Sequence, residues 1–332
     1  MSRRGVSSFD DVYNFPLFSN LIAVSHETDE DLTRLKRDHP AEFVRLSAAG
    51  MEAQTEQNLE LARRHFFDNQ RTYDGILLAM NDLSVFGYLS SCASSRADAT
   101  TDSQNNADGS DVSKRDFTGL DCTAWVYDLF RPNEPYAARG IHPSGVGFNR
   151  YIHYSDLTDE ERSFLKRQVW LTVLNAADPF IFGFDHFVGD WDGIPYQWNA
   201  RLAHYLTSFG YTVDADFFLN IENQKFLIQL QNGFNADTYF PGFSMEWREQ
   251  RLPWDRWFMS HQLTLWNQPR GQYVKARDGD MMVAAGTRLM YQIGTDIFPY
   301  VGVEAKTPGW LAGNVFLDRG FSVWTGLRVG IF

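Results

Sequence analysis

Positive charge is in short supply. Thirty Lys and Arg against 42 Asp and Glu leave this 332-residue chain with a net charge of −12. No Lys/Arg run offsets that excess, so a nucleic-acid partner is not expected. Long apolar runs are missing as well. No window approaches 18 consecutive apolar residues, which argues against a transmembrane helix. Cysteine is limited to Cys92 and Cys122, too few for a disulfide-dense scaffold or a Cys-rich zinc module. Also absent are a phosphate-binding Gly loop, a Rossmann fingerprint, a Gly-x-Ser-x-Gly elbow, and His-x-x-x-His or His-Glu-x-x-His spacing among His142, His153, His186, His204 and His261. Aromatic side chains, by contrast, are abundant: 27 Phe, 14 Tyr and 10 Trp make up 15 % of the chain. Such a content excludes disorder for most of the chain. Two classes remain, a soluble all-β domain and a membrane β-barrel.

The charge is unevenly spread. Residues 201–332 hold 12 basic and 12 acidic side chains, so residues 1–200 carry the whole −12. Eight of the ten Trp lie from Trp191 onward. A boundary therefore falls near 195/196, between an acidic, mainly helical region (1–195) and a neutral region of different material (196–332). In the first, helices are expected over Asp29–Asp38, from Pro40 to about Arg71, over Tyr73–Leu89, and from Asp159 to about Ala177. The last opens on the capping box Thr158-Asp-Glu-Glu161. Residues 93–115 are mostly small and polar, and are expected to form a disordered linker because they bury too little apolar surface to offset their ordering entropy. Leu77–Gly87 and Leu171–Gly183 echo one another, either as a duplicated helix or by chance.

From Tyr205 the period changes to two. Tyr205, Val213, Phe217, Leu219 and Ile221 alternate with His204, Thr212, Asp214, Asp216, Asn220 and Glu222. Shorter alternations follow at Phe226–Leu230, Phe243–Arg248, Trp257–Trp266, Val283–Ile293, Ile297–Ala305 and Phe321–Ile331, separated by turn-rich pieces of hairpin length. The expected architecture is an antiparallel up-and-down β-barrel of about eight strands over 196–332, mainly β, preceded by the helical region. In a soluble barrel the outer strand face would be rich in Lys and Glu. Here the polar faces are mostly Ser, Gly, Thr, Gln and Asn, and the apolar faces carry aromatics near Tyr205, Tyr291, Phe321 and Trp257. A membrane barrel inverts the polarity, with lipid outside and a polar lumen.

On these alternating strands, and on the closing strand Phe321–Phe332 with its aromatic carboxyl terminus, the chain resembles bacterial outer-membrane β-barrel proteins. The likeness is to the class, not to any one family. It implies an outer-membrane location in a diderm bacterium, membrane lipids as partners, and helices that plug the barrel or bind an envelope protein in the periplasm. It also implies export. Met1-Ser-Arg-Arg is basic, but Leu17–Val24 is interrupted by Ser19 and Asn20, so no signal peptide is visible; either the start is truncated or misassigned, or the protein is not exported. The implied role is structural, anchoring or narrow transport. The alternatives are a lipid-modifying membrane hydrolase and a soluble barrel binding an apolar ligand.

Chemistry-bearing candidates are few. His204, Asp214, Asp216, Glu222 and Arg288 fall on polar strand faces and would point into the lumen, lining a passage or lacing a plug. Asp190 and Asp192, beside Gly193 and near Asp185 and His186, either ligate Ca²⁺ or form an Asx-rich turn; without a Glu at the twelfth position they are no EF-hand. No other cofactor is implied. His142-Pro-Ser144-Gly145 reads as a turn or as a serine nucleophile beside its base. Leu89-Ser-Ser-Cys92 reads as a helix end or a lipoprotein cleavage box. Cys92 and Cys122 are either bridged, as an oxidising compartment would allow, or two buried thiols.

Overall fold

Helix and strand segregate along the chain as their periodicities require. A computed structural model describes residues 1–13, 21–68 and 72–329. Part of Leu17–Val24 and the chain end Gly330–Phe332, with its terminal aromatic, lie outside the described residues. The chain divides into two compact units, each assembled from separated segments. One comprises Met1–Gly50, Val85–Trp170 and Thr207–Phe209; the other comprises Met51–Ser84, Leu171–Leu206 and Gly210–Phe332.

The first unit is mainly helical. A two-stranded ribbon, β1 (Phe9–Tyr13) and β2 (Leu21–Ser25), precedes α1 (Asp29–Asp38). Thr28 caps α1 by accepting from the Asp31 amide at 3.1 Å. Three acidic residues in its first turn and Lys36 and Arg37 in its last suit the helix dipole. Two longer helices, α2 (Pro40–Phe67) and α3 (Thr72–Cys92), contribute to both units. Next come α4 (Arg96–Asp108), α5 (Asp121–Phe130) and α6 (Asp159–Leu171). The Thr158/Glu161 capping box forms as expected, with the Thr158 amide donating to Glu161 at 2.7 Å and the Glu161 amide donating back at 3.3 Å. Val6, Leu32, Leu35, Phe43, Phe117 and Tyr136 form an apolar core. Beside it Asp128 is buried and accepts from Lys36 Nζ at 2.7 Å and from Arg139.

The polar stretch 93–115 is the clearest correction. It is no disordered linker, because it holds α4 and a short 3₁₀ turn, Val112–Lys114. Ala97, Thr101 and Asn105, spaced by four, are its buried face. The Cys92–Cys122 disulfide closes the segment, and Asp108 accepts from the Tyr151 hydroxyl. Small residues make a narrow seam that a count of large apolar side chains overlooks.

The second unit is built on nine strands in sequential antiparallel order: β3 (Phe187–Trp191), β4 (Ile194–Leu206), β5 (Tyr211–Ile221), β6 (Gln224–Phe234), β7 (Tyr239–Arg251), β8 (Trp257–Pro269), β9 (Gly279–Tyr291), β10 (Ile297–Lys306) and β11 (Gly320–Val329). Tight turns fix the hairpins. Glu222 and Asn223 both have positive φ between β5 and β6, as do Asp192 and Gly193 between β3 and β4, the geometry of two-residue hairpin loops. The sheet is thus mainly β and up-and-down, as expected, with nine strands where about eight were expected. Among the described residues β3 and β11 do not pair, so it is open.

Two details depart from the period-two reading. The alternation from Tyr205 to Ile221 is not one strand; it crosses a turn at Thr207–Gly210 into a paired hairpin, with Tyr205 opposite Thr212. Only glycine fits at 210, where φ is +153° and a Cβ would lie 2.1 Å from the Phe234 carbonyl oxygen. The second half of the Leu77/Leu171 echo is not a helix like α3 but a pair of 3₁₀ turns, Thr172–Ala176 and Pro179–Phe182, interrupted before Pro179. This segment and the residues after it cap the edge of β4 beyond its pairing with β3. Leu202 N donates to Ala177 O at 3.2 Å, His204 N to Asn175 Oδ1 at 2.6 Å, and Asn199 Nδ2 to Phe184 O at 2.7 Å.

Candidate functional site on the covered face of the sheet

The two faces of the nine-stranded sheet differ in kind. The unit's own helices cover one face over β5–β7. Leu59, Ala62 and Phe66 of α2 and Leu78 of α3 pack with Phe180 on Phe218 of β5 and Leu227 of β6. Around this apolar contact the covered face is polar. Asn199, Arg201, Asp214, Asp216, Gln231, Ser244, Arg248, Ser260 and Thr264 are all buried. On the opposite, open face the alternate positions are apolar and exposed: Leu230, Phe243, Leu263, Leu265, Val301 and Val303 at 38–44 %, Val323 at 61 % and Leu327 at 59 %.

Register assembles the first ionic group on the covered face. Arg201 stands opposite Asp216 and donates through Nε to Asp216 Oδ2 at 2.9 Å; its Nη1 lies 3.6 Å from Asp178 Oδ2. The other Asp216 oxygen accepts from Gln229 at 2.9 Å. Asp214 accepts from the Tyr205 and Thr212 hydroxyls at 2.7 and 2.6 Å. On the helices, Glu52 accepts from Trp310 Nε1 and the Gly313 amide, each at 3.1 Å, and Asp82 accepts from Asn58 at 2.8 Å. Burial is the main force that pushes Glu56 and Asp82 up to about 7, against the pull of Arg63 on Glu56 and of Arg201 on Asp82. Many carboxylates thus share one guanidinium here.

A second group lies further along the sheet and is rich in arginine. Glu246 takes Arg248 at 3.2 and 3.3 Å and Arg63 of α2 at 3.3 Å. Glu249 accepts from Lys225 at 2.8 Å through one oxygen and from Arg328 through the other. A small half-open pocket of about 80 Å³ adjoins this group, lined in part by Glu246, Ser260, Gln262, Arg288 and Trp324.

Of the residues singled out in the sequence, Asp214, Asp216 and Arg288 lie on the covered face, but in separate groups: the two Asp with Arg201, Arg288 beside the cavity. His204 does not join them. The hairpin at 207–210 places it opposite Val213, on the other face from Asp214, where it is buried with Asn175 Nδ2 3.5 Å from its carbonyl. Tyr205, read as an apolar-face aromatic, is on the covered face. Glu222 is no strand residue; it is an exposed member of the β5–β6 turn. Asp190 lies in β3, opposite Pro195, and only Asp192 is in the β3–β4 turn; Asp190 Oδ1 accepts from the Gly193 amide at 2.9 Å and so braces the turn. Among the described residues no three His, Cys, Asp or Glu side chains form a metal cluster. Reading residue by residue missed Arg201, Arg63, Glu56 and Asp82. For Arg201 a signal existed: Ile194, Tyr196, Trp198, Ala200 and Leu202 alternate with Asn199, Arg201 and Ala203.

The other candidate chemistry lies in the helical unit. His142 Nδ1 is 2.9 Å from Ser144 Oγ and accepts from the Ser144 amide at 3.1 Å. Burial, then Arg115, lowers the His142 pKa and keeps the ring neutral. Its Nε2 is buried without a partner, so no carboxylate orients it as a base. Leu89–Cys92 ends α3 as helix, with Cys92 in the disulfide. No protein-family model, curated protein or solved structure matches the chain.

Proposed function

We propose that the second unit is the wall of an integral outer-membrane β-barrel, and that the protein serves as an anchor or structural component whose helical unit engages an envelope partner. The observation that carries this reading is the inverted polarity of the sheet: exposed Val323, Leu327, Leu263 and Leu230 on one face, buried Arg201, Asp216, Arg248 and Ser260 on the other. Lipid is the medium that favours such an exterior. A soluble barrel with an apolar ligand inside needs the opposite orientation. Eight of the nine strands have 10 to 13 residues, enough to cross the hydrocarbon layer when tilted. The buried Cys92–Cys122 bridge fits an oxidising compartment such as the periplasm.

The helices that cover the polar face fill the place a wide channel would need, so the reading favours anchoring over bulk transport. The sheet is open between β3 and β11, so the proposal requires that both edges become paired in the membrane, by closure or by a second chain, because hydrocarbon tolerates no unpaired strand edge. Fractionation provides the test. The protein should sediment with membranes, resist extraction by alkaline carbonate, and migrate differently on a gel before and after heating. Release of intact protein into the carbonate supernatant overturns the reading.

A further inference from the structure

We propose that the cavity beside Arg288 binds a tetrahedral oxyanion, phosphate as the free ion or as an ester headgroup. Strand register builds the site. Ser260, Arg288, Gly302 and Trp324 stand in one row across β8, β9, β10 and β11, and Glu246, Gln262 and Gly286 stand in the neighbouring row. The two glycines withhold side chains on either side of Arg288 and leave the space. A Cβ on Gly302 would lie 2.2 Å from the Trp324 ring that rests on it, so a side chain there would displace that ring.

The chemistry follows from what Arg288 lacks. Among the described residues it has no ion pair; its guanidinium lies 5.7 Å from the Tyr300 ring centroid, and its Nε is buried without a hydrogen-bond partner. The carboxylates that could serve it are engaged elsewhere: Glu246 by Arg63 and Arg248, Glu249 by Lys225 and Arg328. Glu304, opposite Gly286, accepts from Asn314 at 2.8 Å. A sheltered guanidinium that forms no ion pair of its own is costly, and its forked donors match the oxygens of phosphate. The Gln262 amide lines the same cavity and can add a donor. Glu246 also lines it, but its charge is already balanced by two guanidiniums. The site depends on the covered face alone, so it stands whether or not lipid covers the other.

The test is calorimetric titration of the full-length protein in an uncharged detergent and phosphate-free buffer. Inorganic phosphate is one probe, dihexanoyl phosphatidic acid the other, and dihexanoyl phosphatidylcholine the control. One saturable site is expected for at least one probe; whichever binds identifies the source of the phosphate. Arg288→Gln should weaken binding at least tenfold with an unchanged far-UV circular-dichroism spectrum. Gln262→Leu should weaken it severalfold, and it decides the question if Arg288→Gln does not fold. Unaltered affinity in the Arg288→Gln protein, or no saturable binding by either probe up to about 20 mM, overturns the proposal.

Discussion

Reduction of the Cys92–Cys122 bridge should loosen the helical unit selectively. The bridge spans 30 residues of sequence, and both cysteines are fully buried. Loop-closure entropy for that length corresponds to about 3.6 kcal/mol at 25 °C, a large fraction of the stability of a typical domain. Within the loop, α4 buries only Ala97, Thr101 and Asn105, so it has little packing of its own to resist the gain in chain entropy. The matched perturbations are dithiothreitol on the native protein and the double variant Cys92→Ala/Cys122→Ala, which avoids burying a new hydroxyl. At an m-value of roughly 2–3 kcal/mol/M the urea midpoint of this unit should fall by about 1–2 M. Trypsin should then cut at Arg96, Lys114 or Arg115 well before it cuts within β4–β11. An unchanged midpoint together with an unchanged tryptic pattern would refute the entropic account and would mean that α4 is held by its packing alone.

Three further outcomes follow from named residues. Val323→Lys places a charge on the open face of β11; it should cost about 2–4 kcal/mol in phospholipid vesicles, where an aqueous surface would register less than about 0.5 kcal/mol, measured by urea unfolding. Glu56 and Asp82 hold protons up to about pH 7 in the folded protein but ionise near pH 4 when unfolded. Stability should therefore be highest below pH 4 on their account and be lost between about pH 4 and 7, levelling off above 7, at about 1.4 kcal/mol per pKa unit for each group; Asp82→Asn should flatten that slope in melts taken from pH 4 to 8. Gly302→Ala should expel Trp324 from its seat, read as a red-shifted tryptophan emission and a stability loss of about 1–3 kcal/mol.

The strands were legible wherever turn and alternation agreed. β6, β9, β10 and β11 follow directly from period-two runs bounded by Asn, Asp and Gly. The helix starts at Asp29, Pro40 and Asp159 were legible because capping and proline chemistry are local. What escaped was either masked by continuity or settled by tertiary packing. The tight turn at 207–210 continues the alternation of its flanks, so a hairpin reads as one strand and His204 is assigned to the wrong face. The ion pairs on the covered face join Arg63 of α2 to Glu246 of β7, and Asp68, just after α2, to Lys225 of β6. These partners are more than 150 residues apart, and no periodicity carries that information. Arg288 was legible as a polar-face residue; that its neighbours are two glycines and its potential partners are already engaged emerges only from register.

The open edge of β11 offers the sharpest check on a membrane location. Ten residues, Gly320–Val329, pair with β10 on one side, and among the described residues nothing pairs on the other. In an antiparallel ladder alternate residues direct their N–H and C=O groups outward along such an edge. In water those groups are solvated at little cost. In hydrocarbon each unsatisfied group costs several kcal/mol, so a row of them cannot coexist with lipid against Val323 and Leu327. A β11 that spans the bilayer must therefore be paired along both edges, by closure of the sheet or by a second chain. Amide hydrogen exchange on the protein in phospholipid vesicles should accordingly find all of β11 protected, the outward-directed alternate amides as strongly as those bonded to β10. Rapid exchange confined to alternate residues of β11 would show an edge open to water, and with it a sheet that does not lie in a membrane.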